Sequence, residues 1–246
     1  MADMNDQELF PKLQAHLSAC WGFDAQPASP SDAGFDFVQR SIVKARLALE
    51  RIGLPADEVR TMIIRGNGSA NGHACLIDGK PVAWFAAEGY PTQERADAFV
   101  PHEIIHAIHY PLCHDYAFDT KEKKNELGRQ LVTEGIATVL TAQAMDIPLE
   151  QALWADVQTI EATKRWMETI SSDLPKRASS IRERWNEDAG EWFLANDPSD
   201  PFRYRAGYAI GAMTIDRVMR GQKLSPNALL SLPRTTLDEL VRNALG

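Results

Sequence analysis

Residues 99–110 read FVPHEIIHAIHY, and the fold of the chain has to be built around this stretch. His102 and His106 are four residues apart, so on an α-helix their imidazoles lie one above the other on the same face. Two imidazoles in that arrangement can bind one Zn²⁺, and Glu103 lies beside the same face, where it can take a proton from a metal-activated water. The HExxH pattern therefore predicts a metal-binding helix.

The residues around the two histidines favour a buried helix. Ile104, Ile105 and Ile108 supply apolar surface, and Pro101 suits a position in the first turn of a helix. A buried helix whose histidines occur by chance is the alternative interpretation. His109 lies on the same stripe one turn further on, and we expect it either to support a metal ligand or to pack near the helix end, and not to bind metal itself.

Glu134 is the candidate for a third metal ligand. It stands in the segment LVTEGIA, residues 131–137, which has the composition of a helix. On a helix it shares one face with mostly apolar or small side chains, namely Leu127, Leu131, Gly135, Thr138 and Ala142. A carboxylate on such a half-buried face needs a partner, which can be a metal ion or a lysine or arginine.

Three motifs together resemble a known clan of metallopeptidases. The position six residues after His106, where metzincins carry a third histidine, holds Leu112. HEIIH followed by Glu-Gly-Ile-Ala at 134–137 instead resembles the gluzincins, above all the minigluzincins and a bacterial family of predicted zinc-dependent proteases. Gly-Tyr-Ala-Ile-Gly at 207–211 is similar to a Gly-Tyr-x-x-Gly segment of such proteins. The resemblance covers residues 60–220.

The resemblance implies a complete metal site. One Zn²⁺ per chain would be held by His102, His106 and Glu134, and Glu103 would act as general base. Larger gluzincins often have an aspartate four residues after the glutamate ligand, and this chain departs from them with Thr138.

The resemblance also implies a tyrosine that stabilises the oxyanion of the tetrahedral intermediate. Tyr208 is the first choice and Tyr204 the second, since the two are four residues apart and would share a helix face. A packing role is the alternative for either tyrosine.

The pattern of strand and helix signals predicts an α+β fold, and the resemblance implies that this fold is zincin-like. Residues 1–100 form an N-terminal lobe with a small mixed sheet and an edge strand, and residues 101–246 form a helical lobe that carries the metal site. The two lobes make one compact catalytic domain with the active-site cleft between them.

Strands are predicted at Arg60–Arg65, His73–Ile77 and Pro81–Ala87, the last two joined by an Asp78-Gly79 turn. Helices are predicted at 5–19, 36–52, 101–110, 120–144, 148–171, 176–195, 204–220 and 234–245.

The strand at Val82–Ala87 has a predicted role in substrate binding. It is expected to be the edge strand that pairs with an extended peptide, as one strand upstream of the metal helix does in zincins. An ordinary internal strand is the alternative.

The bulk composition narrows the partners and the compartment. A formal net charge of −8 repels phosphate backbones, so nucleic acid is not expected as a partner. No apolar run reaches the roughly 20 residues that a membrane span needs, so no membrane partner is expected either. The polar start lacks a secretory signal, and three cysteines without paired spacing favour the cytoplasm. The sequence carries no signal for an oligomeric state.

These observations lead to a zinc-dependent peptidase that acts on a peptide or protein substrate, or to another amide hydrolase with the same chemistry. The alternative is a zinc-binding regulatory or binding module with a gluzincin-like fold and little turnover. A helical structural protein without metal is the third interpretation. Glu103 favours an enzyme, because zinc binding alone does not require it.

Overall fold

A four-stranded mixed sheet forms near the N-terminus of the computed structural model, which describes residues 6–68, 70–118, 120, 123 and 125–246. The strands are β1 (Gln26–Pro27), β2 (Arg60–Arg65), β3 (Gly72–Ile77) and β4 (Lys80–Ala86), and their order in the sheet is β1-β2-β4-β3. β4 pairs parallel with β2 and antiparallel with β3, and β1 pairs antiparallel with β2. The predicted α+β class is confirmed.

The hairpin between β3 and β4 forms where the sequence predicts it. Asp78 and Gly79 both have positive φ, 51° and 75°, which is the backbone of the tight turns that match the twist of two antiparallel strands.

The place of β4 corrects the prediction of an edge strand at Val82–Ala87. β4 lies between β2 and β3, and every residue from Val82 to Ala86 is buried. The reason is visible in its composition: the run Val-Ala-Trp-Phe-Ala is apolar at successive positions, so both faces of the strand have to be covered. β3, and not β4, is therefore the terminal strand on that side of the sheet.

Helices cover the sheet in the first of two compact units, Met1–Lys121. Helix α1 (Asp6–Trp21) buries Leu9, Leu13 and Leu17, which recur every four residues and form a core cluster with Ile64 and Trp84 from the sheet. Helix α3 (Gln93–Leu112) packs on β3 and β4, and helix α2 (Phe35–Arg51) packs on α3.

Asp97 joins α2 to α3. Its carboxylate accepts hydrogen bonds from Ser41 Oγ at 2.5 Å, Lys44 Nζ at 2.7 Å and Gln93 Nε2 at 2.8 Å. Partial burial raises the pKa of this carboxyl, but the hydrogen bonds from Lys44, Ser41 and Gln93 outweigh burial, so the pKa lies below its ordinary value.

The second unit, Glu122–Gly246, is helical. Its helices are α4 (Leu127–Met145), α5 (Leu149–Trp154), α6 (Ile160–Glu183), α7 (Gly190–Phe193), α8 (Ala206–Gln222), α9 (Pro226–Leu230) and α10 (Arg234–Ala244). The helix predicted to start at residue 120 is described from Leu127 onward, and residues 121, 122 and 124 of its predicted beginning lie outside the described residues.

Helix α6 corrects the prediction of separate helices at 148–171 and 176–195. It runs through Pro175, and the first predicted segment is divided instead between α5 and α6. The buried residues Ile170, Leu174 and Ala178 continue one face across the proline, so burial of that face outweighs the hydrogen bond that proline removes.

Aromatic side chains fill much of the second unit. Four buried tryptophans pack in its core, namely Trp154, Trp166, Trp185 and Trp192. Within the described residues, no helix combines the length and the apolar composition that a membrane crossing would need.

Candidate metal centre

Helix α3 carries the HExxH motif in its C-terminal half. The helix begins at Gln93, where the Thr92 side chain accepts a hydrogen bond from the Arg95 backbone N–H at 3.1 Å. Pro101 therefore lies inside the helix, and the prediction that it occupies the first turn is wrong. The capping residue Thr92, nine positions before Pro101, sets the start of the helix. The residues from Val100 to Tyr110 are buried except for half-buried Glu103.

The two motif histidines face each other on α3. His102 is 8% exposed and His106 is 1% exposed, and their Nε2 atoms lie 3.1 Å apart. Nitrogens at that separation, each about 2.05 Å from a shared Zn²⁺, subtend about 98° at the ion, near the tetrahedral angle. The two nitrogens are therefore close enough to bind the same zinc ion.

Glu103 faces the sheet. Its Oε2 lies 3.8 Å from Nδ1 of His73 on β3, and both side chains are largely buried. Gly72, next to His73, allows this approach, because a Cβ at Gly72 would lie 3.3 Å from Glu103 Cγ and 2.8 Å from the carbonyl oxygen of Trp84.

Tyr90 is a second polar side chain on this side of the motif. Its hydroxyl would lie 2.9 Å from a Cβ at Gly72, and the residue is fully buried. Burial first, and the charge of Glu103 second, raise the pKa of Tyr90 well above its ordinary value. The phenol is thus neutral and can only add dipoles, not a negative charge, to the surroundings of Glu103.

Glu134 lies on α4, as predicted. It is half-buried, and the face that it shares with Leu127, Leu131, Gly135 and Thr138 is otherwise buried. Among the described residues, His102, His106 and Glu134 form the one group of three histidine, cysteine or acidic side chains that could hold a metal ion. Two nitrogens and one carboxylate oxygen are a donor set that zinc accepts.

The other histidines on or near α3 have different surroundings. His109 is fully buried and its ring centroid lies 4.9 Å from that of Tyr116, as expected for packing near the helix end. His114 is exposed in the short 3₁₀ helix that follows. Neither belongs to the metal-ligand group defined above.

The two candidate tyrosines do not share a helix. Tyr208 lies in the first turn of α8, whereas Tyr204 precedes the helix and pairs with Asn196 in an isolated β-bridge. Arg205 separates them with a left-handed backbone, φ 50°, so the prediction of a shared helix face is wrong. The Tyr204 ring stacks on Trp154 at 5.7 Å, and the Tyr208 ring meets Phe193 edge-on at 4.9 Å.

His73 is the site residue that sequence reasoning missed. It lies 30 positions before Glu103 in a strand, outside any metal-ligand spacing, and only the pairing of β3 in the sheet brings it next to α3. The one signal in the sequence is that His73 is a polar residue in an otherwise apolar strand.

Comparison with known proteins places the chain in one family. Residues 37–239 match the family described as predicted Zn-dependent protease (DUF2268). The matched range contains α3, α4 and α8. No curated protein matches the chain, and no solved structure matches it. The family match spans well over half of the sequence and contains both the HExxH helix and Glu134, so the chain belongs to this family of predicted zinc-dependent proteases.

Proposed function

We propose that this chain is a gluzincin-like zinc peptidase in which His102, His106 and Glu134 bind one Zn²⁺. The observation that carries the proposal is the pair of buried imidazoles with Nε2 atoms 3.1 Å apart, followed in the same motif by Glu103. The family match supports the zinc and the protease class, and the half-buried position of Glu134 on α4 supports its choice as third ligand.

The zinc would supply Lewis acidity and would lower the pKa of a water molecule in the site. Glu103 takes the proton from that water while the water oxygen attacks the carbonyl carbon of the scissile amide. The carboxylic acid of Glu103 then gives the proton to the leaving nitrogen as the C–N bond breaks. The same residue thus acts as base and then as acid. The proton that it takes from water is the one that it gives to the leaving nitrogen, so no other proton donor is needed.

Strand β3 is the part of the sheet that suits an extended substrate. It is the terminal strand beside β4, and its residue Gly72 lies against Glu103. A peptide that pairs with the outer edge of β3 by main-chain hydrogen bonds would lie close to the general base. The sequence favours β4 as the strand that pairs with substrate. We propose β3 instead, because β4 is already paired with a strand on each side.

Zinc content and hydrolysis together test the proposed function. We expect about one zinc per wild-type chain, lost from His102→Ala and Glu134→Ala, and retained in Glu103→Gln. Hydrolysis of a peptide library should fall by about 10²- to 10⁴-fold in Glu103→Gln. His114→Ala, which removes an exposed histidine, is the matched control and should change neither quantity.

Each failure has its own meaning. Retention of zinc by Glu134→Ala would remove that residue from the ligand set. Zinc in the wild type without hydrolysis of any peptide would overturn the peptidase and favour the binding or regulatory module. A wild type that binds no divalent metal after reconstitution would overturn the metal site itself.

We assign oxyanion stabilisation to Tyr208, with Tyr204 as the second choice. Tyr208→Phe should lower kcat by about 10²-fold with zinc content and KM little changed, because the lost donor acts only in the transition state. Tyr204→Phe is measured in parallel, since its ring is stacked on Trp154 and should keep its packing, and a loss of kcat in this variant alone would move the role to Tyr204. Equal kcat in wild type and Tyr208→Phe would contradict the assignment.

A further inference from the structure

His73, which lies beside Glu103, belongs to β3, the terminal strand of the sheet. His73 pairs in register with Trp84 of β4, and its side chain is 12% exposed. Its Nδ1 lies 3.8 Å from Oε2 of Glu103, whose side chain is 14% exposed. At this distance in a largely buried setting, an N–H on Nδ1 and a carboxylate attract each other appreciably.

Aromatic side chains hold the ring of His73 on two sides. Its centroid lies 5.0 Å from that of Trp21 in an edge-to-face arrangement and 4.6 Å from that of Phe118. These contacts restrict the rotation of the imidazole, so the direction of Nδ1 toward Glu103 is a property of the packed unit.

We propose that His73 is a positioning residue for Glu103, with the Nδ1–H directed at Oε2. The inference rests on the proposed function, in which Glu103 is the general base. A carboxylate has two oxygens, and an oxygen held by His73 leaves the other to accept the proton of the attacking water. The separation of 3.8 Å is longer than a hydrogen bond, and catalytic hydrogen bonds often tighten only when substrate is bound.

Three variants separate positioning from packing. His73→Phe keeps an aromatic ring and removes the donor, whereas His73→Gln keeps a donor. Phe23→Leu disturbs the core cluster beside Trp84 and leaves Trp21 and Phe118 in place around His73, so it is the packing control. All are measured with the zinc-loaded full chain, and zinc content is determined for each.

The expected pattern has four parts. His73→Phe should lower kcat by about 10- to 100-fold with zinc retained and KM little changed. His73→Gln should restore most of that loss, and Phe23→Leu should stay within about threefold of wild type. Added to Glu103→Gln, His73→Phe should lower the residual rate by less than about threefold, because a residue that acts through Glu103 has nothing left to position.

Nuclear magnetic resonance can locate the proton on the His73 ring without any measurement of turnover. Long-range proton–nitrogen spectra of histidine-labelled protein should show His73, assigned by its loss in His73→Gln, with the proton on Nδ1. That Nδ1 signal should shift in Glu103→Gln and stay in place in His114→Ala.

Several results would overturn the role of His73. These are a proton on Nε2 alone, an Nδ1 signal indifferent to Glu103→Gln, equal losses in His73→Phe and His73→Gln, or full additivity with Glu103→Gln. A wild type that retains zinc and hydrolyses nothing would defeat the proposed function, while the spectra would still decide whether His73 holds Glu103.

Discussion

At the scale of single residues, the surroundings of a carboxylate decide what it does. Asp97 is enclosed by Ser41, Lys44 and Gln93, whose donors lie 2.5 to 2.8 Å away, so it is bound within the fold and its pKa is lowered. Glu103 lies six residues after Asp97 on the same helix. The distance from its Oε2 to Nδ1 of His73 is longer, at 3.8 Å. The hydrogen bonds of Asp97 stabilise a helix contact, whereas the histidine beside Glu103 suits the proton transfer that we propose for that residue.

Asp97→Asn should lower the free energy of unfolding at neutral pH by about 1 kcal/mol. Because the folded-state pKa of Asp97 is lowered, its carboxylate contributes stability above its ordinary pKa of 3.8, and this contribution is lost as the pH falls through the folded-state value. Urea unfolding of both proteins at neutral pH and at about pH 3 measures the difference, which should shrink on acidification.

Glu239→Gln is the control for this prediction, because Glu239 is an exposed carboxylate on α10. Its substitution should change the unfolding free energy little at either pH. A deficit in Asp97→Asn that stays constant down to about pH 3 would show that the loss is not due to the charged form of Asp97.

At the scale of secondary-structure elements, glycines set the distance between α4 and α8. A Cβ at Gly211 would lie 2.4 Å from the carbonyl oxygen of Leu131, and one at Gly135 would lie 2.4 Å from the carbonyl oxygen of Gly211. The two backbones therefore meet directly, and Glu134, next to Gly135, is held on a helix with a close neighbour. Gly211 and Gly135 therefore allow the close packing of these two helices.

Gly211→Ala should lower the free energy of unfolding by about 2 kcal/mol or more, since its Cβ meets backbone atoms that cannot move aside without shifting a helix. Gly221→Ala lies on the same helix, and no atom lies within 4 Å of its added Cβ, so it should stabilise the protein by about 0.5 kcal/mol through helix propensity. Urea unfolding compares the two directly. The same sign of change in both variants would contradict close packing as the cause.

At the scale of the whole molecule, elements far apart in the sequence decide which residues become neighbours. In the first unit, the order β1-β2-β4-β3 brings the strand of His73 to the end of the sheet on which α3 packs. In the second unit, α4 and α8 meet although residues 146–205, nearly half of the unit's sequence, lie between them. Such contacts depend on which apolar faces can be buried together, and no local pattern encodes them.

The sequence by itself determined the features that depend on local spacing. These are the imidazole pair of His102 and His106, the glutamate between them, the Asp78-Gly79 hairpin and the helix that carries Glu134. Helical and strand periodicities act over a few residues, so a single chain displays them without knowledge of its fold.

Only the tertiary structure decided the rest. It buried β4 between two strands, carried α6 through Pro175, removed Tyr204 from the helix of Tyr208 and set His73 beside Glu103. Each outcome follows from long-range packing: an apolar strand is covered on both faces, a buried helix face continues across a proline, and a strand pairing joins residues that are distant in the chain. Local propensities are small beside the free energy of burying such faces, so tertiary contacts override them.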